Sequence, residues 1–283
     1  KELIISNKSD ASNIQNNLEK QKYKIDSIKS NIRKTKPRAP FTTSSLQQDA
    51  SSKLRMSPSV TMSTAQQLFQ GINIGNGEEG LITYMRTDST ALSQDSLYEI
   101  RNFVKKSYGD NYHSERKFKT TSANAQEAHE AIRPTSISRT PESIKKYLIK
   151  TDKNGSTNDR QFRLYDLIWK RTIASQMTES QNKKTTIITT SYDEKYKFKS
   201  DYDELVFDGF KKLFPEKKVD GMPDVVQNEE ISFDFFNKEQ KFTQHPPRYS
   251  EASLIRTMEE LGVGRPSTYA SILNTVKEKK YIW

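Results

Sequence analysis

The stretch Leu81-Ile82-Thr83-Tyr84-Met85-Arg86-Thr87-Asp88-Ser89-Thr90 organises the rest of the chain. Its first two residues, Leu81 and Ile82, are typical of the end of a short buried strand. The polar residues that follow place a phenol close to a guanidinium, among several hydroxyls and one carboxylate. Tyrosine can form a covalent phosphoester, and arginine presents planar donors that match phosphate oxygens. The pattern favours attack on a phosphodiester, although tyrosine and arginine beside a strand end are more often ordinary surface or packing residues.

The run from Ile82 to Ser89 resembles the active-site tyrosine motif of the type IA DNA topoisomerases, the family of bacterial topoisomerase I. The resemblance implies that Tyr84 is the nucleophile, that Arg86 holds the phosphoryl oxygens, and that Asp88 is DNA-binding. It also implies the activity, which is cleavage of one DNA strand through a 5′-phosphotyrosyl intermediate, strand passage and religation. Such a cycle relaxes negative supercoils without ATP. Free tyrosine has a pKa of about 10, so the phenol needs a base or stabilisation of the phenolate.

A second segment, Ala125-Gln126-Glu127-Ala128-His129-Glu130-Ala131-Ile132-Arg133-Pro134-Thr135, follows in the helical half of the chain. On general grounds, a lone histidine is more often a surface residue than a catalyst. This segment, however, resembles the second signature of the same family, and two matches in the family's order are hard to explain by chance. The resemblance makes His129 a catalytic partner of the phosphate and Arg133 a DNA contact. Glu127 and Glu130 are equally well explained as ordinary carboxylates, and we leave them out of the catalytic set.

A third segment, Gly264-Arg265-Pro266-Ser267-Thr268-Tyr269-Ala270, opens a predicted helix. Free N–H groups at a helix start, beside an arginine and two hydroxyls, form a natural phosphate site, although a routine helix cap has the same composition. The run from Arg248 to Ser271 resembles the family's third signature, which contributes to the groove for single-stranded DNA. We therefore expect Arg265, Ser267 and Thr268 to hold a DNA strand by its backbone.

The composition restricts the partners of the chain. Its 283 residues carry 46 Lys and Arg against 36 Asp and Glu, a net charge of +10. Such an excess favours nucleic acid as the partner, with an anionic membrane surface as the runner-up. No apolar run approaches the about 18 residues of a membrane span, and the absence of Cys excludes a disulfide or a zinc ribbon within these residues. From the charge we expect a DNA partner and no membrane association. The resemblance further implies a monomer and a bacterial cytoplasmic, nucleoid-associated location.

The order of the predicted elements indicates a multidomain α and β fold, because strand-rich segments flank a helical one. The most economical topology is a β-rich domain of residues 1–40 and 180–243 with a helical, tyrosine-bearing domain, residues 41–179, inserted into it. Residues 244–283 form part of a further helical DNA-binding domain. The resemblance implies the same arrangement, in which a β-rich arch and the tyrosine domain close the toroidal core of a type IA topoisomerase.

Local patterns predict where individual elements begin and which faces are buried. A stripe of apolar residues predicts that a long helix packs against the core through Phe162, Tyr165, Trp169 and Ile173. Strands are predicted over residues 1–6, within residues 20–36 ahead of a linker, in successive stretches between 183 and 207, and over 231–235. The predicted helix caps are Ser45, Ser63, Ser93, Thr140 and Ser250, the last opening a helix whose apolar face runs to Leu261.

The resemblance also implies what these residues do not contain. In the family, a separate domain with clustered carboxylates and a lysine precedes the arch and binds Mg²⁺. Nothing in residues 1–40 resembles that domain, because Asp10 and Asp26 stand alone. We expect Mg²⁺ and the general acid or base to come from sequence absent here, and no metal site in this fragment. The isolated fragment should bind DNA weakly and fail to relax it.

Other interpretations stay open. A non-catalytic module that binds single-stranded nucleic acid explains the charge and two short capped helices in succession, but leaves the Tyr84 motif unused. A topoisomerase III-like decatenase shares the tyrosine and the arginine. A phosphatase or a tyrosine recombinase is poorly supported. The recombinase needs several Arg and His around a tyrosine near the chain's end, and the sequence has only three His.

Overall fold

The computed structural model describes residues 5, 7–75, 77–118, 130–151, 157–215 and 221–281. The helices are α1 (Lys8–Glu19), α2 (Thr43–Asp49), α3 (Pro58–Gln70), α4 (Gln94–Tyr108), α5 (Pro141–Leu148), α6 (Arg160–Ser175), α7 (Glu251–Glu260) and α8 (Tyr269–Glu278). The strands are β1 (Tyr23–Thr35), β2 (Ile72–Asn73), β3 (Glu78–Glu79), β4 (Lys150–Thr151), β5 (Thr157–Asn158), β6 (Ser180–Ser191), β7 (Lys197–Phe207) and β8 (Glu230–Ile231). Shorter turns of helix occur at Ala50–Leu54, Asp110–Tyr112 and Gly209–Leu213. None of the described helices is both long enough and apolar enough to cross a membrane.

The chain folds as two compact units, each built from separate stretches of sequence. The first unit comprises Lys1–Thr35, Ser180–Asp208 and Pro215–Pro246. The second comprises Lys36–Glu179, Gly209–Phe214 and Pro247–Trp283. Helices α2 to α8 and the stretch around Tyr84 therefore belong to the second unit.

The first unit is built on a four-stranded antiparallel sheet in the order β7-β6-β1-β8. Strand β1 pairs with β6 along its length, from Tyr23 opposite Ser191 to Thr35 opposite Ser180. The strand predicted within residues 20–36 is thereby confirmed, and so is the return to strand period after Lys183. The hydrophobic centre of the first unit is the buried ring of Tyr23. Phe233 and Phe236 pack against this ring at centroid distances of 5.2 and 6.0 Å.

The strand predicted over residues 231–235 is wrong. Only Glu230–Ile231 pairs with β1, and Phe235 is 76% exposed. Phe233 and Phe236 share one aromatic cluster, and a spacing of three residues does not fit the two-residue period of a strand. Here ring packing, not a backbone ladder, explains the aromatic pattern.

The start of the chain differs from expectation. The strand predicted over residues 1–6 lies outside the described residues apart from Ile5. Helix α1 follows, capped by the Asn7 side chain, which accepts a hydrogen bond from the Asp10 amide at 2.8 Å. We did not predict this helix, because its one buried side chain, Leu18, leaves no apolar stripe to detect.

The second unit encloses one large apolar core to which Leu81 and Ile82 belong. Both side chains are almost fully buried, as expected for residues that end a buried segment. The predicted stripe on α6 is confirmed, since Tyr165, Trp169 and Ile173 are buried and Phe162 packs against the same core. The hydroxyl of Tyr165 donates to the Arg139 carbonyl at 2.7 Å, and the Trp169 indole N–H donates to the Ile137 carbonyl at 3.1 Å. These bonds satisfy the polar ends of the two large buried rings.

Two predicted helix starts in the second unit are wrong. Helix α2 begins after Thr42, and Ser45 occupies the third position of a capping box in which each side chain accepts from the other's amide. Helix α3 begins after Ser57, with Pro58 in the first turn, where its missing N–H is not needed. Ser63 therefore lies inside α3. The caps predicted at Ser93, Thr140 and Ser250 are confirmed.

Helices α7 and α8 have a small core of their own and pack on helices of the same unit. Asn274 in α8 donates to the Ser59 hydroxyl of α3 at 2.9 Å. The apolar face predicted to run to Leu261 ends earlier, because α7 stops at Glu260 and Leu261 is 73% exposed. The core of this helix pair consists of Ile255, Met258, Tyr269 and Leu273.

Candidate active site

The chain reaches Tyr84 through a short segment that is fixed by backbone hydrogen bonds. The Thr83 amide donates to the Arg133 carbonyl at 2.9 Å, and the Thr135 amide donates to the Leu81 carbonyl at 3.0 Å. The Thr83 hydroxyl adds two bonds, accepting from the Arg133 amide at 3.0 Å and donating to the Ala131 carbonyl at 2.7 Å. The first and second signature segments are therefore neighbours, as the resemblance implies.

From Tyr84 onward, alternate side chains are exposed and buried, the period typical of an extended chain. Residues two apart in such a chain lie on the same side, about 7 Å from each other. The phenol, the guanidinium and the carboxylate selected from the sequence thus share one side. We name the exposed and half-buried set the outward face and the buried set the inward face. The outward face is Tyr84, Arg86 and Asp88, and the inward face is Met85, Thr87 and Ser89.

The hydroxyls of the inward face hold the backbone. The Thr87 hydroxyl accepts from the Ser89 amide at 3.0 Å, and the Ser89 hydroxyl accepts from the Ala91 amide at 3.1 Å. The Ser89 amide is buried, and a buried amide without a partner is costly. The Ala91 amide is only partly buried. Both bonds stabilise a stretch that has no pairing to a neighbouring strand. The hydroxyl-rich composition that suggested phosphate chemistry is thus explained in part by folding.

Thr43, which the sequence did not indicate as part of the site, also holds the backbone of this segment. Its hydroxyl donates to the Met85 carbonyl at 2.7 Å and accepts from the Thr87 amide at 2.9 Å. In the sequence Thr43 stands in a run of four hydroxyl residues before a predicted helix, a pattern that indicates a helix cap and carries no signal of a contact with distant residues.

The outward face presents Tyr84 and Arg86 to solvent. Tyr84 is 48% exposed, and its ring meets that of Phe69 edge-on at a centroid distance of 5.4 Å. Arg86 is exposed as well. Within the described ranges, neither the Tyr84 hydroxyl nor the Arg86 guanidinium has a hydrogen-bond or ion-pair partner.

Arg133 is placed differently, with its side chain only 14% exposed. Its guanidinium makes two bonds to the Glu130 carboxylate, at 2.7 and 3.1 Å, and donates to the Pro134 carbonyl at 2.9 Å. Glu130, which we left outside the catalytic set, is thus the partner of a predicted DNA contact. His129 lies outside the described residues.

Within the third signature, a tight turn precedes α8. The Thr268 hydroxyl accepts from the Arg265 amide at 2.8 Å, and the amides of Thr268 and Tyr269 both donate to the Arg265 carbonyl. Two amides expected to be free for phosphate are therefore used inside the turn. The Arg265 and Ser267 side chains are exposed, and Thr268 is half-buried, so the cation and one hydroxyl remain open to solvent.

The phenol of Tyr269 shows which charges lie near this turn. Burial raises the pKa of Tyr269, the Glu259 and Asp88 carboxylates raise it further, and the Arg265 guanidinium lowers it. Electrostatic effects weaken with distance and with screening. Asp88 of the outward face and Arg265 of the third signature are therefore both close enough to influence one side chain.

A buried carboxylate in α2 forms ion pairs with three cationic side chains. Asp49 is 7% exposed and lies 2.7 Å from Lys53, 3.4 Å from Arg171 and 3.5 Å from Arg38. Burial lowers the pKa of Arg171 to about 10, and Asp49 opposes that shift. The Arg38 side chain reaches Asp49 from the surface and is itself 68% exposed. In the described part of the chain, no group of three or more His, Asp or Glu side chains forms a metal-binding cluster.

The whole chain is similar to known proteins. A family model described as DNA topoisomerase matches residues 1–283. DNA topoisomerase 1 of Rickettsia felis is 43% identical over 98% of this chain, and that of Helicobacter pylori is 41% identical over 96%. The solved structure of full-length topoisomerase I from Thermotoga maritima matches 100% of this chain with a TM-score of 0.82 and 37% identity. The chain spans 36% of the length of the first two relatives and 44% of the third.

Proposed function

Because this chain belongs to the DNA topoisomerase family, we propose that it forms the strand-cleaving core of a type IA enzyme that relaxes negatively supercoiled DNA. The observation that carries the proposal is the outward face. There, a half-exposed tyrosine and an exposed arginine without a partner among the described residues share one side of a firmly held segment. A tyrosine retained for packing alone would be expected to bury its ring or bond its hydroxyl within the protein.

The proposed chemistry is a reversible transesterification. The Tyr84 hydroxyl oxygen attacks the phosphorus of a DNA backbone linkage, and the bond from phosphorus to the 3′ oxygen breaks. The phenol gives up its proton, and the departing oxygen takes one up as a free 3′ hydroxyl. After another strand passes, that hydroxyl attacks the 5′-phosphotyrosyl bond and restores both the DNA and the tyrosine. One phosphoester replaces another at each step, so no nucleotide is hydrolysed.

Arg86 is the proposed stabiliser of the charge that develops on the phosphoryl oxygens. A guanidinium donates two parallel bonds to such oxygens, and donors of this kind contribute most where the charge increases in the transition state. His129 is proposed to donate a further hydrogen bond to the same phosphate. Arg133 is proposed to contact DNA beside this phosphate. For that contact, the Arg133 guanidinium must either break its bonds to the Glu130 carboxylate or bond Glu130 and DNA at the same time.

The strand itself is proposed to run along the third signature. Arg265 supplies charge, and Ser267 and Thr268 supply hydroxyl contacts to the backbone. Asp88 of the outward face is proposed to be a further DNA-binding residue. The proposed substrate is a single-stranded segment at the active site of a monomeric enzyme. Duplex DNA, held within the complete protein, is the proposed second partner.

The proposed cofactor is Mg²⁺, bound by parts of the complete protein outside this chain. The described residues do not fit a magnesium site, since no cluster of acidic side chains is formed among them, and no step is assigned to the ion here. We propose that the general acid and base also lie outside the chain, that the isolated chain does not relax DNA, and that the protein acts on nucleoid DNA in a bacterial cytoplasm.

A plasmid relaxation assay with Mg²⁺ tests the proposal. The full-length protein should relax negatively supercoiled plasmid, Tyr84→Phe should not, and residues 1–283 alone should leave the plasmid supercoiled. Tyr98→Phe is the matched control, because Tyr98 is 67% exposed on α4 and lies outside the site. Relaxation by Tyr84→Phe at the parental rate would contradict the proposal. Binding of single-stranded DNA without relaxation by the full-length protein would favour a non-catalytic binding module.

A further inference from the structure

The guanidinium of Arg86 has no partner within the described ranges that fixes its direction. A long exposed side chain samples many rotamers, so the accuracy with which it meets a phosphate depends on how firmly its backbone is held. The two peptide groups that flank Arg86 are the Met85 carbonyl before it and the Thr87 amide after it. Both belong to buried residues.

One buried side chain bonds both of these peptide groups. The Thr43 hydroxyl donates to the Met85 carbonyl at 2.7 Å and accepts from the Thr87 amide at 2.9 Å. The Thr43 amide donates to the Thr87 carbonyl at 2.8 Å. Thr43 is fully buried, so water does not compete for these bonds.

Thr43 is itself held firmly. It is the first residue of α2 and lies inside the capping box, between Thr42 and Ser45. Its other neighbour, Ser44, donates to the Glu259 carboxylate of α7 at 2.6 Å. The bonds to Met85 and Thr87 therefore come from a fixed point inside the second unit.

We propose that Thr43 is a positioning residue for Arg86, one that aims the guanidinium at the scissile phosphate without touching DNA. This inference rests on the proposed function of Arg86. A buried residue at a helix start does not need a hydroxyl for folding, so the inference gives the Thr43 hydroxyl a separate role. A valine fills the same volume and lacks only that hydroxyl.

The experiment measures the rate of covalent adduct formation with a labelled single-stranded oligonucleotide in the full-length protein. Thr43→Val should lower that rate about ten- to a hundred-fold, because a misplacement of about 1 Å can cost up to about 10²-fold. Its non-covalent affinity for the oligonucleotide should stay within about two-fold, because Thr43 makes no contact with DNA. Thr43→Ser keeps the hydroxyl and should restore most of the rate. The control Thr172→Val removes an equally buried hydroxyl from α6 and should leave the rate unchanged.

A double-mutant cycle separates positioning from a general structural effect. If Thr43 acts through Arg86, Thr43→Val should cause no further loss in an Arg86→Ala background. Equal losses in both backgrounds, or a parental rate for Thr43→Val, would overturn the inference. Should Thr43→Val fail to fold, Thr43→Cys, whose thiol donates only weakly, takes its place in the cycle with the same two outcomes. An adduct that forms equally well in Tyr84→Phe would instead refute the proposed function, and the inference with it.

Discussion

The outward and inward faces of residues 84–89 divide two tasks between neighbouring residues. On the outward face, Tyr84 and Arg86 are exposed and make no polar contact within the described ranges. On the inward face, Met85 lies in the apolar core, and the hydroxyls of Thr87 and Ser89 bind backbone amides. The outward face carries the proposed chemistry, and the inward face holds the backbone in place.

The difference shows how a segment without regular secondary structure can hold reactive groups steadily. Side chains in the core and hydroxyl-to-amide bonds replace the strand ladder that is missing after Thr83. If this division is correct, outward substitutions change the reaction and leave stability alone. Inward substitutions should do the reverse, except where they move the outward residues.

The largest effect on the outward side, short of removing the nucleophile, is expected from Arg86→Ala. Loss of a donor to the developing charge should lower the rate of oligonucleotide cleavage about 10²- to 10³-fold. The thermal midpoint should not change, because Arg86 has no partner to lose within the described ranges. Single-turnover cleavage and a melting curve measure the two quantities, with Arg101→Ala on the exposed side of α4 as control. An unchanged cleavage rate in Arg86→Ala would contradict the catalytic role assigned to the outward face.

The largest effect on the inward side is expected from Met85→Ala. Removing a core side chain that is 1% exposed should cost about 3 kcal/mol of unfolding free energy, within the range for such truncations. Denaturant unfolding of the full-length protein, followed by a probe in the second unit, measures this cost. Met222→Ala, at a position 37% exposed in the first unit, should cost less than about 0.5 kcal/mol. Equal costs at the two positions would contradict the inward assignment of Met85.

A smaller inward effect is expected from Ser89→Ala. The variant leaves the Ala91 amide without its acceptor, which should cost about 1 kcal/mol. Ser63→Ala removes an exposed hydroxyl within α3 and should be nearly neutral in the same unfolding measurement. A cleavage defect in Ser89→Ala larger than its stability loss would indicate that the inward hydroxyls also take part in the reaction.

The smallest effect is expected from Arg265→Ala. This variant tests whether an exposed residue outside residues 84–89 also contributes to DNA binding. Losing one phosphate contact should reduce the slope of log affinity against log salt by about 0.7 for single-stranded DNA, and affinity by a few-fold. Stability should be unchanged because the side chain is exposed. Arg265→Lys keeps the charge and should keep the slope. A slope that is the same in Arg265→Ala and the parent would remove Arg265 from the proposed strand path.

The sequence was informative where a single local pattern determined the structure. Apolar spacing was enough to predict the buried stripe on α6, and side-chain caps were enough to place the starts of α4, α5 and α7. The same reasoning misplaced α2 and α3, because Ser45 and Ser63 have the composition of caps and only the neighbouring chain shows which serine or threonine is used. It missed α1, whose exposed surface gives no periodic signal.

For the site, motif resemblance selected Tyr84, Arg86 and Asp88, and the structure places them on one side of an extended segment. Their roles stay predictions. The supports of the site depend on contacts between residues far apart in sequence. The bonds from Thr43 to residues 85 and 87 and the pairing of Arg133 with Glu130 are set by tertiary packing. Neither spacing nor residue type in one sequence predicts such contacts.

The most direct test of the central claim is to identify the residue that becomes attached to DNA. The full-length protein is mixed with a labelled single-stranded oligonucleotide and Mg²⁺, denatured during turnover, digested and analysed by mass spectrometry. We predict a nucleotide joined through its 5′ phosphate to the peptide that contains Tyr84, and no adduct in Tyr84→Phe. Attachment at any other residue, or plasmid relaxation by the same preparation with Tyr84 unmodified, would contradict the account.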